Sequence, residues 1–416
     1  MIDMRIIGLK EFTKNYINDK GKYMKKTFLR LGKQPITNNF LTKHQFEDEY
    51  FYNLDVQFDT DTKLVSITKM IDPEMMFNDE YVHRASQSIT MCKHFEDISN
   101  QLQKRHKKVL EIGSNDGVFL KHWNTGDAIA VEPCGNFAKE TQEMGYKTYA
   151  EFWTQELANK LLVKHGKQDV IYAANCICHI HDLDDTFRAV ELLLEEDGVF
   201  VFEDPSLFNI VKNTSYDQIY DEHPHMFSVI ALDNLLQRNG LQIVKVENLS
   251  VHGGSNRIFA MKLSQDVIHE SVYQNKRQEE DLGLDKFEAF ESFTLRVENS
   301  KTELIKLLTT LKQQGKKVIS YGATYKSTTI FNYCGIDSDL IAYVTDTTLD
   351  KQGKYTPGMH ISIVSPEQGF DDTVDYAFLG AWNFVKEIST KESEFLNRGG
   401  KFITHVPEVR IIGENI

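Results

Sequence analysis

The chain has 416 residues, 41% of them hydrophobic and 26% charged, with a net charge of −14. That composition is ordinary for a globular protein, and the length exceeds what one compact core accommodates, so two or three domains are expected. An acidic balance with no Lys/Arg-rich stripe excludes nucleic acid as an expected partner. The lack of any apolar run of about eighteen residues excludes a transmembrane span. The N-terminus shows no signal-peptide pattern. Five scattered cysteines (Cys92, Cys134, Cys176, Cys178 and Cys334) suit a reducing cytoplasm. Cys176-x-Cys178 is too short for a CxxC pair, and its apolar neighbours point to buried thiols.

Residues 1 to about 95 mix short strand-like pieces with turns, and 59–63 reads as a turn between strands at 52–58 and 64–68. From Lys107 strands alternate with helices, as in a doubly wound sheet. Strands are expected at 108–112, 127–131, 169–173, 197–202, 241–248 and 257–262, with helices of ten or more residues between them. Residues 265–315 contain no proline and space Phe287, Phe290, Phe293 and Leu295 helically, so one or two long helices should join two domains. A second α/β unit follows, with strands at 317–322, 340–344 and 376–379.

Residues 109–117 carry the most chemistry. An apolar strand closes on Glu111 and turns through Gly113, Asn115, Asp116 and Gly117, and apolar character resumes at Val118 with helical spacing. Such a turn needs residues free of a Cβ clash and lets backbone approach a ligand. The spacing Glu-x-Gly-x-x-x-Gly differs from the pyrophosphate pattern Gly-x-Gly-x-x-Gly. It resembles the first motif of the S-adenosylmethionine (SAM) methyltransferases, the alternative being an ordinary strand-turn-helix. Glu132, followed by Pro133, ends a second apolar run at 128–131, where an acid can accept both ribose hydroxyls. Asn175 and His179 follow the strand at 169–173, a third carboxyl-end position, although a lone histidine there also serves structure.

Residues 217–225 gather titratable groups just past a strand end. A histidine beside a carboxylate can be poised as a general base; a solvated acidic loop is the other reading. Residues 251–257 place His252, Gly253, Gly254 and Ser255 before a strand, as a ligand loop or a plain hairpin turn. The strand-loop-helix start at 321–329 offers Lys326 and several hydroxyls as a phosphate cradle. It lacks the second glycine of a P-loop, which argues against NTP hydrolysis.

Assembled, these residues resemble the sugar C-methyltransferases, the family of nucleotide-linked 4-keto deoxysugar 3-C-methyltransferases, from about residue 30 to the end. The anchors are Leu31-Gly32-Lys33-Gln34-Pro35, the 111–117 motif, Tyr220-x-Glu222-His223, His252-Gly253-Gly254-Ser255 and Tyr321-Gly322-Ala323 with Lys326. Residues 332–336, 351–358 and Ala381-Trp382-Asn383 complete them. The resemblance implies an α/β enzyme with a small mixed N-terminal domain (1–95) shaping the sugar pocket and a central Rossmann-like SAM-binding domain (96–264). A helical linker (265–315) and a second Rossmann-like C-terminal domain (316–416) binding the nucleotide-sugar would follow. It implies SAM as cofactor, held by Glu111, Gly113, Asn115, Asp116, Gly117, Glu132, Pro133 and Asn175.

By the same resemblance His223 is the base, with Glu222, Tyr220 and His179 beside it. Tyr81, His252, Gly253, Ser255, Gly322, Lys326, Trp382 and Asn383 contact the substrate, and His83 stands where a second aromatic is usual. The expected reaction removes a proton beside the ketone through His223, oriented by Glu222, and methylates the resulting enolate. An O- or N-methyltransferase and a catalytically silent nucleotide-sugar-binding protein are the alternatives. One departure stands out: the family's four N-terminal zinc cysteines have no counterpart here. The CxxC positions fall near Asp59 and Thr62, and no cysteine precedes Cys92. A tetrahedral site needs four such ligands, so no zinc is expected. Nothing in the sequence sets an oligomeric state.

Overall fold

Three sheets organise the chain, in a computed structural model that describes residues 16–17, 23–263 and 268–413. Residues 1–15 and 18–22, for which the sequence offers no functional reading, lie outside the described residues, as do 264–267 at the start of the expected linker. The class is α/β, as the alternation of strand and helix signals implies.

The central sheet has seven strands. Lys147–Tyr149, Ala128–Val131, Val109–Ile112, Gln168–Ala174 and Leu194–Pro205 run parallel in that spatial order. Ser255–Lys262 and Leu241–Leu249 extend it antiparallel. Val109–Ile112 and Ala128–Val131 are buried at every position, as parallel strands covered on both faces must be. Strand order reverses between Val109–Ile112 and Gln168–Ala174, which opens a crevice beyond their carboxyl ends. The C-terminal sheet repeats the device. Ile363–Val364, Val344–Thr345, Val318–Tyr321, Tyr376–Leu379 and Lys401–Thr404 are parallel, and Arg410–Ile412 closes it antiparallel. Its order reverses between Val318–Tyr321 and Tyr376–Leu379.

The N-terminal sheet is antiparallel and five-stranded: Tyr16–Ile17, Tyr23–Pro35, Phe51–Asp59, Val65–Ile67 and His225–Met226. The last strand is donated by the middle of the chain, with His225 opposite Ser66 and Met226 opposite Val65. The expected 59–63 turn is present. Asp59 Oδ1 accepts the Asp61 and Thr62 amides, and Lys63 takes φ +63°.

Several expectations change. Beyond Gly117 there is no α-helix, only the 3-10 turn Leu120–His122. Val118, Phe119, Leu120 and Trp123 are all buried there, so most of the segment is spent as core. The expected strand at 340–344 shrinks to Val344–Thr345, because the Asp337 carbonyl accepts the Leu340 and Ile341 amides in a turn. Two helices, Glu270–Asp281 and Phe287–Gln313, occupy the expected linker. The longer one is core rather than tether: Phe290 lies 4.8 Å from both Phe28 and Phe58 of the N-terminal sheet. Its buried stripe runs Phe290, Phe293, Val297, Leu304, Leu308 and Leu311. Leu295, two residues past Phe293, falls on the opposite face and is 62% exposed. All five cysteines are free; Cys178 is buried and Cys176 half-buried. Among the described residues no helix is long and apolar enough to cross a membrane.

Candidate active site

The central and C-terminal crevices open into one cavity of ≈ 680 Å³, and Asn38, Phe77 and Tyr81 from the N-terminal region supply part of its wall. At the central end Gly113 takes φ +71°, and a Cβ there would meet Cys176 Sγ at 2.7 Å, so the turn passes close against the neighbouring strand end only as glycine. Asn115 follows at φ +46°; its side chain accepts the Ala85 amide and donates to the His83 carbonyl. Glu132 accepts the Asn115 amide at 2.7 Å and the Cys134 amide at 2.8 Å. Glu111 is buried, and its Oε2 has no partner among the described residues. Burial, then Glu132 and Asp116, push its carboxyl well above the usual range. Asn175 at φ +50° and His252 at φ +53° face each other, Nδ2 to Nε2, at 3.3 Å. Asn115, Asn175 and His252 thus bring left-handed, non-glycine backbone to one cavity wall, a form of strain that clusters at functional sites.

Tyr220, Glu222 and His223 form another part of the wall. His223 Nδ1 lies 2.9 Å from the Gln218 carbonyl, which can only accept, so Nδ1 carries the hydrogen. Nε2 is left as an acceptor, 2.8 Å from the Tyr220 hydroxyl, which donates to it. Burial first, then His179, hold His223 well below the usual histidine range, so the ring is neutral. His179 stacks 5.2 Å from His223 and 5.3 Å from Phe77. Its Nε2 has no hydrogen-bond partner among the described residues, and burial brings it to about 3.

The expectation that Glu222 orients His223 is corrected. The backbone turns between them, with the His223 amide donating to the Tyr220 carbonyl, and the two side chains find different partners. Glu222 instead accepts from Asn38 Nδ2 at 2.6 Å and from the Tyr81 hydroxyl at 3.2 Å. Burial, then Asp221, push it up to about 8, so it is a neutral acid at neutral pH. Asp221 accepts from the Thr37 amide and, at 2.6 Å, from the Thr37 hydroxyl. The Thr37 carbonyl accepts from Thr328 at 3.1 Å, so Thr37 links the 217–225 segment to the helix Tyr325–Cys334.

His223, Glu222, Tyr220, His179, Glu111, Gly113, Asn115, Glu132, Pro133, Asn175, Tyr81, His252, Lys326 and Asn383 all line the cavity. Six expected site residues do not. Asp116 accepts the Ser86 amide, and Gly117 packs against Thr141 and Met144. Ser255 donates to the Val251 carbonyl, and Gly322 lies against Ala381. Gly253 and Trp382 line a neighbouring groove of ≈ 640 Å³ and touch each other: a Cβ on Gly253, at φ +85°, would meet the indole. The phosphate cradle expected at 321–329 is narrower than the sequence suggests, since Asp346 already accepts the Ala323 amide at 2.7 Å. Thr324 and Ser327 cap each other's amides, so these amides are not offered to an anion. Sequence reasoning missed Asn38, Phe77, Tyr325 and Lys351 as wall residues. Tyr325, inside a segment read for its lysine, stacks on Tyr220 at 4.2 Å; Asn38 carries no sequence signal of its own.

The chain is 31% identical over 390 residues to the C-methyltransferase NovU of Streptomyces niveus, which covers 92% of this chain and 93% of that protein. The chain belongs to the C-methyltransferase family. Three family profiles follow one another along this C-methyltransferase: a "Putative zinc binding domain" at residues 21–77, a "Methyltransferase domain" at 81–246 and a "C-methyltransferase C-terminal domain" at 250–407. It is a SAM-dependent methyltransferase. Among solved structures it is similar to a SAM-dependent methyltransferase from Clostridium acetobutylicum (16% identity, 41% of this chain and 92% of that one, TM-score 0.33). CcbJ of Streptomyces caelestis is similar at 14% identity, 41% and 90% coverage and TM-score 0.32. Likeness at that level carries no functional argument.

The match at 21–77 qualifies the expectation of a lost zinc region: the domain is present in this C-methyltransferase, and what it lacks is cysteine. Within those residues the sole histidine is His44, which is exposed, and Asp59 is spent on closing its turn. Among the described residues the one convergent His/Cys/Asp/Glu trio is Cys178, His179 and His223, in the cavity. The donor set at 21–77 therefore does not fit a tetrahedral site. The residues for SAM do fit. Each Glu132 oxygen keeps a lone pair for a ribose hydroxyl, and the orphaned Glu111 Oε2 lacks the donor that a cationic amine would bring.

Proposed function

We propose that this C-methyltransferase methylates the carbon adjacent to the ketone of a nucleotide-linked keto-deoxysugar, and that His223 takes the proton leaving that carbon. The observation that carries the reading is the Tyr220–His223 pair: a neutral imidazole, fixed as the Nδ1–H tautomer, with its lone pair held on a tyrosine hydroxyl inside the cavity. A C–H bond beside a carbonyl is acidic because its electron pair can move onto the carbonyl oxygen. Tyr220 accepts that proton as its own passes to His223 Nε2, leaving an enolate and an imidazolium within one dry site. Glu132 and Glu111 hold the cofactor, and bound SAM supplies an electrophilic methyl group. His179, with Nε2 free, and Tyr81, fixed on Glu222, hydrogen-bond the sugar.

We assign residues 1–95 to shaping the sugar pocket, 96–264 to SAM, 265–315 to joining the domains and 316–416 to the nucleotide-sugar. Tyr321, Thr324, Lys351 and Lys391 on the C-terminal wall are suited to the nucleotide end. The five free cysteines suit a cytoplasmic enzyme. The test is a methyl-transfer assay with isotopically labelled SAM over a panel of nucleotide-linked 4-keto-6-deoxy sugars, with the label located by NMR. Label on carbon beside the ketone is expected. Label on oxygen or nitrogen would overturn the enolate chemistry, and no transfer to any sugar in the panel would overturn the substrate class.

A further inference from the structure

Removing a proton beside a ketone puts charge on the ketone oxygen, and His223, Tyr220 and the cofactor residues account for the proton and the methyl group but not for that charge. The wall that carries the Tyr220–His223 pair also carries an ammonium group. Lys326 lies in the first turn of the helix Tyr325–Cys334, is 3% exposed, and lines the cavity. Its Nζ donates to Asn383 Oδ1 at 2.9 Å. An ammonium has three donors, so Asn383 leaves two for a ligand. Neighbouring Tyr325 stacks on Tyr220, so the helix turn that carries the lysine packs at the proton-transfer end. Its charge is close enough to help depress both His223 and His252.

The lysine is held from behind. Its Nζ lies 4.8 Å from the Trp382 ring centre, and Trp382 Nε1 donates to Asp217 Oδ2 at 2.6 Å. Asp217 is fully buried, with His405 Nε2 3.4 Å from its other oxygen. Burial would raise the Asp217 carboxyl, but His405, Lys326 and the indole outweigh it and keep it below the usual range. Burial draws Lys326 itself down to about 8, opposed by Asp217, so it is still mostly charged at neutral pH. A phosphate role for this lysine would draw on the helix N-terminus beside it, where Asp346 and the Thr324–Ser327 cap already take the Ala323, Thr324 and Ser327 amides.

We propose that Lys326 is a catalytic residue whose ammonium hydrogen-bonds the ketone oxygen of the substrate and stabilises the negative charge that grows there as the adjacent carbon is deprotonated. Asn383, Trp382 and Asp217 are its positioning residues. The C–H pair becomes the C=C bond, the carbonyl π pair moves to oxygen, the proton goes through Tyr220 to His223, and Lys326 keeps its own proton. This rests on the enolate reading above.

The experiment follows deuterium exchange from D2O into the carbon beside the ketone of a nucleotide-linked 4-keto-6-deoxy sugar, by NMR, with S-adenosylhomocysteine added so that no methyl is transferred. Wild type should exchange, and Lys326→Met should lose on the order of 10²–10³-fold in exchange and in kcat, the effect of removing one oxyanion donor. Its sugar and SAM affinities should stay within about threefold of wild type, which also reports a folded variant. Lys326→Arg, which cannot lose its charge, should exchange faster than Lys326→Met and lose the fall in rate that wild type shows above about pH 8. Exchange by Lys326→Met at the wild-type rate, with weakened sugar binding, would make Lys326 a binding group and overturn the proposal. A basic limb unchanged in Lys326→Arg would overturn it too. No exchange by wild type would overturn the enolate reading itself, and the role of Lys326 with it.

Discussion

The two ends of the cavity are built differently. At the cofactor end Glu132 finds its partners near in sequence, at the carboxyl ends of adjacent strands of one sheet: Asn115, 17 residues away, and Cys134, two residues away. At the reacting end the partners are far apart and come from three distant parts of the chain. Asp221 is held by Thr37 across 184 residues, Asp217 by Trp382 across 165, and Thr328 reaches Thr37 across 291. The cofactor end is therefore a property of the central sheet. The reacting end exists only when the whole chain has assembled, so changes there should strike turnover and leave SAM binding alone.

The sharpest way to break that contrast is His223→Asn. Turnover should fall about 10²–10⁴-fold, the range for a positioned base, while SAM affinity measured by calorimetry is unchanged. More than about a tenth of the activity remaining would remove His223 from the proton path. Glu132→Ala is the converse. Losing two hydrogen bonds to a carboxylate, each worth about 1.5–3 kcal/mol, should weaken SAM binding by on the order of 10²-fold or more. Turnover at saturating SAM should recover to within several-fold of wild type, and failure to recover would mean that the two ends are coupled.

A smaller effect comes from pH. Glu222 is raised in the fold, to about 8, so its contribution to stability is full below the unfolded carboxyl pKa near 4.5 and is lost as pH rises through about 8. At about 1.4 kcal/mol per pKa unit, the melting temperature of wild type should drop as pH climbs from 5 to 9. Glu222→Gln, which cannot ionise, should flatten that drop; parallel curves would place the titration elsewhere. The smallest expected effect is that of metal. Zinc analysis of the purified protein should find well under one ion per chain, and a chelator should leave the melting temperature unchanged. Stoichiometric zinc would show that residues 21–77 bind it without cysteine.

The same contrast explains what the sequence made legible. Glu111, Gly113 and Glu132 could be read because their chemistry depends on a local strand-turn pattern, and that pattern survives folding unchanged. The wall residues Asn38 and Tyr325 have no local pattern; their roles come from facing Glu222 and Tyr220 across sheet boundaries. Glu222 next to His223 looked like an orienting pair because adjacency in sequence suggests contact, and a tight turn sends the two side chains apart. Lys326 was legible as a cation beside a ligand loop but its surroundings were not, because Asp346, twenty residues on, takes the Ala323 amide that the expected phosphate cradle would have used. Leu295 shows the limit of spacing by eye: its two-residue step from Phe293 suits a strand, not a helix face.

The fifth strand of the N-terminal sheet, His225–Met226, starts two residues beyond His223 and pairs across 159 residues with Ser66. A chain emerging from the ribosome therefore carries that sheet one strand short, with the Val65–Ile67 edge open, until much of the central domain has been made. Exchanging N-terminal modules between relatives to retune sugar preference would meet the same seam. A cut near residue 95 would leave a foreign edge facing a strand that also fixes the position of His223, so a working hybrid has to carry residues 220–226 along with the module.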